Sequence, residues 1–187
     1  MIQKSTLNSK IFIQDILTSD DVVDSIKNNL DELLEIIPEI KKMIGFEHNH
    51  PHHHLDVWNH TLLALSKSEN DFQIRLVLLL HDIGKPHHYQ EKDGIRNFNG
   101  HPKVSKEISF NSLKRLNYTD KFIEEVCYLI EKHDDIITSD EIKSNYDLAY
   151  KRYLIQECDA LAHHPEKLDK RIKYLEKTKT KFKEYSH

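Results

Sequence analysis

An all-α fold is predicted, a compact single-domain bundle of roughly six to eight helices, and three observations predict it. The 187 residues include only four glycines and five prolines, so helix breakers are scarce. Leu and Ile recur at helical spacing through most of the chain, which argues against disorder. No segment alternates convincingly with period two, the one candidate strand being Ile11 to Ile13. A chain of this length suits one domain with a real core and is short for two.

The elements follow in order. After Ser19, an N-cap, the residues Val22, Val23, Ile26, Leu30, Leu33, Leu34 and Ile37 form an amphipathic stripe that Pro38 interrupts. A short helix to Met43 ends at Gly45. A histidine-rich loop precedes Asp56, the N-cap of a helix to about Ser68. The next helix runs from about Asp71 to Ile83, stopped by Gly84 and Pro86. Residues 84–100 hold three of the four glycines and read as a long loop. Gly100, His101 and Pro102 open a helix to about Leu116. Further helices fit residues 120–133, 140–163 with a break near Asn145, and 165–185, where Leu168, Ile172, Leu175 and Phe182 share a face. The expected division is an N-terminal helical segment (1–44), a core (45–165) and a basic amphipathic C-terminal helix (166–187).

Composition excludes several classes. A net charge of −4 gives no strong pull toward nucleic acid or acidic membranes. The segment from Pro165 to Tyr185 is the exception, with eight Lys/Arg against four Asp/Glu. A solvated basic face is its plain reading, and contact with RNA or phosphate is the alternative. Cys127 and Cys158 show no CxxC spacing, and no signal-peptide pattern opens the chain, so a reduced, cytoplasmic protein is expected. No apolar run approaches the roughly 20 residues that span a bilayer.

Polar residues on apolar helix faces carry the functional signal. His60 shares a face with Val57, Leu63 and Ala64. His81 follows Ile74, Val77 and Leu78, with Asp82 next. His133 lines up with Val126 and Ile130, and Asp159 with Leu148, Ile155 and Ala162. A buried carboxylate is costly unless paired or coordinating a cation. Alone, Asp159 reads as the partner of a nearby Arg or Lys such as Arg152, and a single inward histidine as a hydrogen-bonded core residue. Four such coincidences favour a shared metal. His52, His53 and His54 lie in a loop and read as pocket rim or surface, whereas His48, His50, His87, His88, His163, His164 and His187 give no usable signal.

The "HDIGK" of His81 to Lys85, His60 of "DVWNH" twenty-one residues before it, and Asp159 of "ECDALA" far downstream together resemble the HD-domain superfamily of metal-dependent phosphohydrolases. "DVWNHTLLAL", "FNGHPKVS" and "LIEKHD" extend the likeness over residues 50–165 and look most like the HD domain attached to bacterial tRNA nucleotidyltransferases. The resemblance implies a stand-alone HD domain without nucleotide addition. It implies His60, His81, Asp82 and Asp159 as metal ligands, with His101 and His133 where members with a two-metal centre place further histidines and Asp82 as bridging carboxylate. Lys85 matches a lysine that contacts substrate phosphate in some members, and an ordinary solvated lysine is its alternative.

Mixed imidazole and carboxylate ligands suit Mn, Fe, Co, Ni or Zn, with Mg also considered, as one or two divalent ions. Such ions activate water for attack on phosphoesters. Asp82 and Lys85 are the catalytic candidates, and Lys85, His53 and His54 the substrate-binding ones. Asp134 and Asp135 read either as outer acceptors or a general acid, or as a solvated helix end. The expected substrate is a nucleotide or another small phosphorylated metabolite. The alternative is a non-catalytic metal-stabilised module that binds tRNA or a protein. No membrane partner is expected, and oligomeric state stays open.

Overall fold

A computed structural model describes residues 2–51, 54–164, 166 and 168–185. Ten α-helices occur among them: α1 (Ile2–Leu17), α2 (Val22–Asn28), α3 (Leu30–Ile36), α4 (Val57–Ser66), α5 (Phe72–Leu80), α6 (His101–Arg115), α7 (Asp120–Glu131), α8 (Ser139–Ser144), α9 (Tyr146–Leu161) and α10 (Asp169–Tyr185). The all-α class is as expected, but the helices outnumber the six to eight anticipated. One addition is α1, which takes in the candidate strand Ile11–Ile13 because Ile13, Ile16 and Leu17 bury one helical face. Another comes from Asn29, which splits the stripe expected from Val22 to Ile37. Its side-chain amide donates to the Ser25 carbonyl at 2.8 Å, offering the backbone an alternative to helix continuation.

The 84–100 loop is more ordered than the sequence suggests. A single 3₁₀ turn (Lys85–His87) leads into an antiparallel hairpin, β1 (Gln90–Lys92) and β2 (Ile95–Asn97), paired Gln90 to Asn97 and Lys92 to Ile95. Its turn is Asp93-Gly94, both with positive φ (53° and 74°), the conformation that two-residue hairpin loops demand. Arg96 fastens the hairpin down, its guanidinium 4.7 Å from the Phe46 ring and 4.9 Å from that of Tyr89.

Helix starts are set by side-chain caps. Asp56 accepts from the Asn59 amide at 2.7 Å, Asp71 from Ile74 at 2.9 Å, and Thr138 and Glu141 form a reciprocal capping box. The main core joins α1 to α7 and α9 through residues such as Leu17, Leu33, Leu65, Leu78, Ile130 and Ile155. A second cluster, Ile137, Ile142, Ala149, Tyr153, Ala160, Leu175 and Phe182, seats α10 against α8 and α9. Helices α5 and α9 pack on each other and on both α4 and α7, and α6 lies along α7. This arrangement brings the start of α4 and α6 and the ends of α5, α7 and α9 to one place.

Candidate metal centre

Four histidines with their rings fixed from behind line that place. Helix ends leave carbonyls without intrahelical partners; His81 and His133 use such groups at the ends of α5 and α7 through Nδ1, and His101 uses a carbonyl of the segment before α6. His81 Nδ1 lies 2.7 Å from the Leu78 carbonyl, His133 Nδ1 2.7 Å from that of Ile130, and His101 Nδ1 2.9 Å from that of Phe98. His60 Nδ1 reaches the Ala162 carbonyl at 3.2 Å. A carbonyl only accepts, so in each ring Nδ1 carries a proton and Nε2 is the nitrogen that faces inward, where a bound cation would take its lone pair. His81 is the C-cap of α5, so the doublet lies in the turn beyond the helix, which ends three residues earlier than the expected Ile83.

Two carboxylates meet these nitrogens. Asp82 Oδ2 is 3.3 Å from His81 Nε2 and 3.7 Å from His60 Nε2, while Oδ1 is 3.0 Å from His101 Nε2 and 4.0 Å from His133 Nε2. Asp159 Oδ1 lies 2.9 Å from His60 Nε2 and 3.6 Å from His81 Nε2. The group His60, His81, Asp82 and the group Asp82, His101, His133 each have ligand atoms close enough to hold one ion, and a third such group is His60, Asp159, His163. His81 Nε2, His101 Nε2 and Asp82 Oδ1 are buried and make no well-aligned hydrogen bond, although His101 Nε2 and Asp82 Oδ1 stand 3.0 Å apart. Leaving such atoms unsatisfied is expensive, and a divalent cation would satisfy all three. The donor set therefore fits a metal.

Electrostatics agree. Burial opposes the charge on Asp82, but His81 and the Lys85 ammonium outweigh it and hold its carboxyl well below the usual range. Burial acts the same way on Asp159, and there Arg171 leads the opposing effect. For His81, burial is overcome by Asp82 and Asp159, which push the imidazole up to about 10 in the ion-free centre. Both carboxylates are thus ready to bind a cation at neutral pH.

Lys85 is buried, not solvated. Its Nζ donates to Asp82 Oδ2 at 2.7 Å and sits 3.2 Å from His48 Nε2. His48 is itself buried, with Nδ1 2.8 Å from the Leu55 carbonyl. Burial and the Lys85 charge push its pKa down to about 2, so it is a neutral acceptor for the ammonium. Asp134 also joins the site, Oδ2 lying 3.5 Å from His133 Nε2, whereas Asp135 pairs with Lys132 at 2.7 Å on the exposed surface.

A cavity of about 630 Å³ opens over the centre, its lining including His50, Lys85, Phe98, Lys103, Asp134 and Arg171. Sequence reasoning missed His48, His50, His163 and Arg171. His54 is exposed, its ring 5.4 Å from that of His164, and it is not among the residues lining the cavity. His53 lies outside the described residues. Arg152 does not pair with Asp159 either: it is buried, donating to the Lys132 and Ile136 carbonyls at 2.8 and 3.0 Å and to Glu141 at 2.7 Å, which ties down the loop after α7. The arginine on Asp159 is Arg171, Nη2 to Oδ2 at 2.6 Å.

Compared with known protein families, residues 51–178 match the HD domain. The chain belongs to the HD-domain family. HD domains bind divalent metals, in keeping with the histidine and aspartate clusters of this one. Among curated relatives, the CC-adding tRNA nucleotidyltransferase of Thermus thermophilus is 30% identical over 132 residues, covering 67% of this chain and 29% of the relative. The A-adding tRNA nucleotidyltransferase of Deinococcus radiodurans is 29% identical over 126 residues, covering 64% and 29%. This HD-domain chain thus spans less than a third of the length of either relative. Among the described residues, no helix is long and apolar enough to cross a membrane.

Proposed function

We propose that the protein is a metal-dependent phosphohydrolase that cleaves a phosphoester of a nucleotide or another small phosphorylated metabolite. The observation that carries this reading is the set of buried, unsatisfied ligand atoms, His81 Nε2, His101 Nε2 and Asp82 Oδ1, gathered beneath an open cavity. A purely structural metal site is closed by protein ligands, whereas a catalytic one keeps positions open. His60, His81, Asp82 and Asp159 would hold one ion, and Asp82, His101 and His133 a second, with Asp82 shared. Divalent ions there would supply Lewis-acid activation of water and of the phosphoryl oxygens.

The chain's own charges favour an anionic substrate. Asp82, Asp134 and Asp159 contribute −3, and Lys85 and Arg171 contribute +2, leaving −1 with neutral imidazoles. One divalent ion turns that to +1 and two ions to +3, a field that a phosphoryl group answers. An ammonium has three donors. Asp82 and His48 occupy two on Lys85, so the third is available to a phosphoryl oxygen as charge develops. Asp82, which belongs to both ligand groups, would hold the ions that supply the activated water.

The test is hydrolysis of a panel of nucleotides and other phosphate monoesters, with cyclic and linear diesters, under Mn²⁺, Fe²⁺, Co²⁺, Ni²⁺, Zn²⁺ or Mg²⁺. Turnover abolished by Asp82→Ala establishes the reading and names the substrate class. A second reading, a non-catalytic HD module that binds tRNA or a protein, is favoured by the names of the two relatives and by the lysines of α10, among them Lys173, Lys177 and Lys179. Wild-type protein that retains metal and binds tRNA without turning over any substrate in the panel would establish it instead.

A further inference from the structure

Asp159 is divided between two kinds of partner. Its Oδ1 faces the imidazoles, 2.9 Å from His60 Nε2 and 3.6 Å from His81 Nε2. Its Oδ2 is held from the other side by Arg171 Nη2 at 2.6 Å. The same nitrogen lies 3.2 Å from Asp134 Oδ1, whose other oxygen is 3.5 Å from His133 Nε2. One guanidinium therefore grips the outer oxygen of two carboxylates whose inner oxygens face the centre.

The grip is built, not incidental. Arg171 stands on α10 one turn before Leu175, and Leu175, Thr178 and Phe182 continue the same helical face into the second hydrophobic cluster. The side chain is only 32% exposed and lines the cavity. Its neighbour Lys170 lines the cavity too, yet is exposed and makes no ion pair among the described residues. Nη2 carries two N–H donors, one for each carboxylate, so this one nitrogen holds Asp159 and Asp134 together.

We infer that Arg171 is a positioning residue that keeps Asp159 a one-oxygen ligand by occupying Oδ2, so that a coordination position on the cavity side stays available to water and substrate. The inference rests on the proposed metal centre but not on its hydrolytic role. It makes a prediction opposite in sign to a supporting role. A strut that merely steadies a ligand weakens metal binding when removed. Removing Arg171 instead frees a second oxygen for the ion and deletes a positive charge beside it, both of which tighten binding, by about tenfold or more from the charge alone.

The experiment titrates Mn²⁺ and Co²⁺ into wild type, Arg171→Gln, Arg171→Lys and Lys170→Gln without substrate. Affinity is read by competition with a chelator, and the number of exchanging waters by water-proton relaxation on Mn²⁺. Arg171→Gln is expected to bind at least about tenfold more tightly with fewer exchanging waters, and to lose turnover wherever wild type has it. Lys170→Gln should match wild type. Should Arg171→Gln fail to fold, Arg171→Lys keeps a cation on a shorter side chain that falls short of Asp159 Oδ2, and the drop in exchanging waters is expected there as well. Weakened or unchanged binding with a wild-type water count overturns the inference and leaves Arg171 as a strut or substrate contact. Wild-type protein that takes up neither ion overturns the metal centre itself, a separate result.

Discussion

His101 Nε2 stands 3.0 Å from Asp82 Oδ1, on the opposite carboxylate oxygen from the one that faces His81 at 3.3 Å. Asp82 is thereby shared between two histidine pairs, His60 with His81 and His101 with His133. Substituting His101 by Ala should remove one ion and keep the other, so metal content measured on purified protein falls from two per chain to about one. Asp82→Asn should reduce both, because each pair then faces a weaker ligand atom. Equal losses from His101→Ala and Asp82→Asn would mean a single ion at one undivided site.

The turn that carries the doublet depends on a glycine for want of space. A Cβ at Gly84 would meet the Ser105 backbone nitrogen at 2.5 Å and the His101 carbonyl oxygen at 2.8 Å. The Gly84 amide also donates to Ser105 Oγ at 2.9 Å. This contact locks the Asp82 turn to the first turns of α6, which begin with His101. Gly84→Ala overpacks that junction, which costs about 1–3 kcal/mol and lowers Tm by roughly 2–4 °C for each kcal/mol in a chain of this size. It should also weaken metal retention more than an equally destabilising change elsewhere, since it separates Asp82 from His101. Thermal melts with and without added metal check both outcomes.

Much of the site was legible because polar residues on apolar helix faces are costly and therefore informative. That criterion found His60, His81, His133 and Asp159. It also reaches Arg171, which shares its face with Leu175, Thr178 and Phe182, but a lysine-rich helix reads as a solvated face and hid the half-buried guanidinium. His48 had no such signal, since a loop places it and only tertiary packing against Lys85 and the Leu55 carbonyl reveals its role. The hairpin carried its own signature in Asp93-Gly94, outweighed by a polar loop composition. Strands with little apolar alternation are visible mainly through their turn.

Stability of the ion-free protein should peak near neutral pH. His48 has its pKa lowered from 6.5 to about 2 and His163 from 6.5 to about 4, in both cases chiefly by burial. Below 6.5 the unfolded chain takes up protons that the folded chain refuses, so stability present above that value is lost as pH falls toward 4 and then 2. Each such proton contributes up to about 1.4 kcal/mol per pH unit. His81 has the opposite sign: its pKa is raised, so its contribution is full below 6.5 and disappears as pH rises through about 10. Urea midpoints measured in chelator from pH 4.5 to 9 should trace this dome. His48→Gln, which keeps an acceptor for Lys85, should flatten the acid limb by about one proton. An unchanged acid limb would show that His48 is not held neutral.

Lys85 tests whether the centre performs chemistry or only holds metal. Its ammonium is fixed between Asp82 Oδ2 at 2.7 Å and His48 Nε2 at 3.2 Å, and it lies 5.5 Å from the centre of the Phe98 ring. The chain has already met the cost of burying this charge, and a binding scaffold has little use for it. Lys85→Met preserves much of the side-chain volume but removes the charge. It leaves Asp82 Oδ2 without its cation, so ion binding should hold or tighten because a competing positive charge is gone. Turnover of the best substrate from the hydrolysis panel should fall by about 10²–10³, the usual loss when a donor aimed at developing charge is removed. The informative pair of measurements is therefore metal content and kcat/KM on the same protein. Metal retained with turnover lost places Lys85 on the reacting phosphoryl group. Metal and turnover lost together would make it a support for Asp82, and turnover retained would make it a buried structural cation.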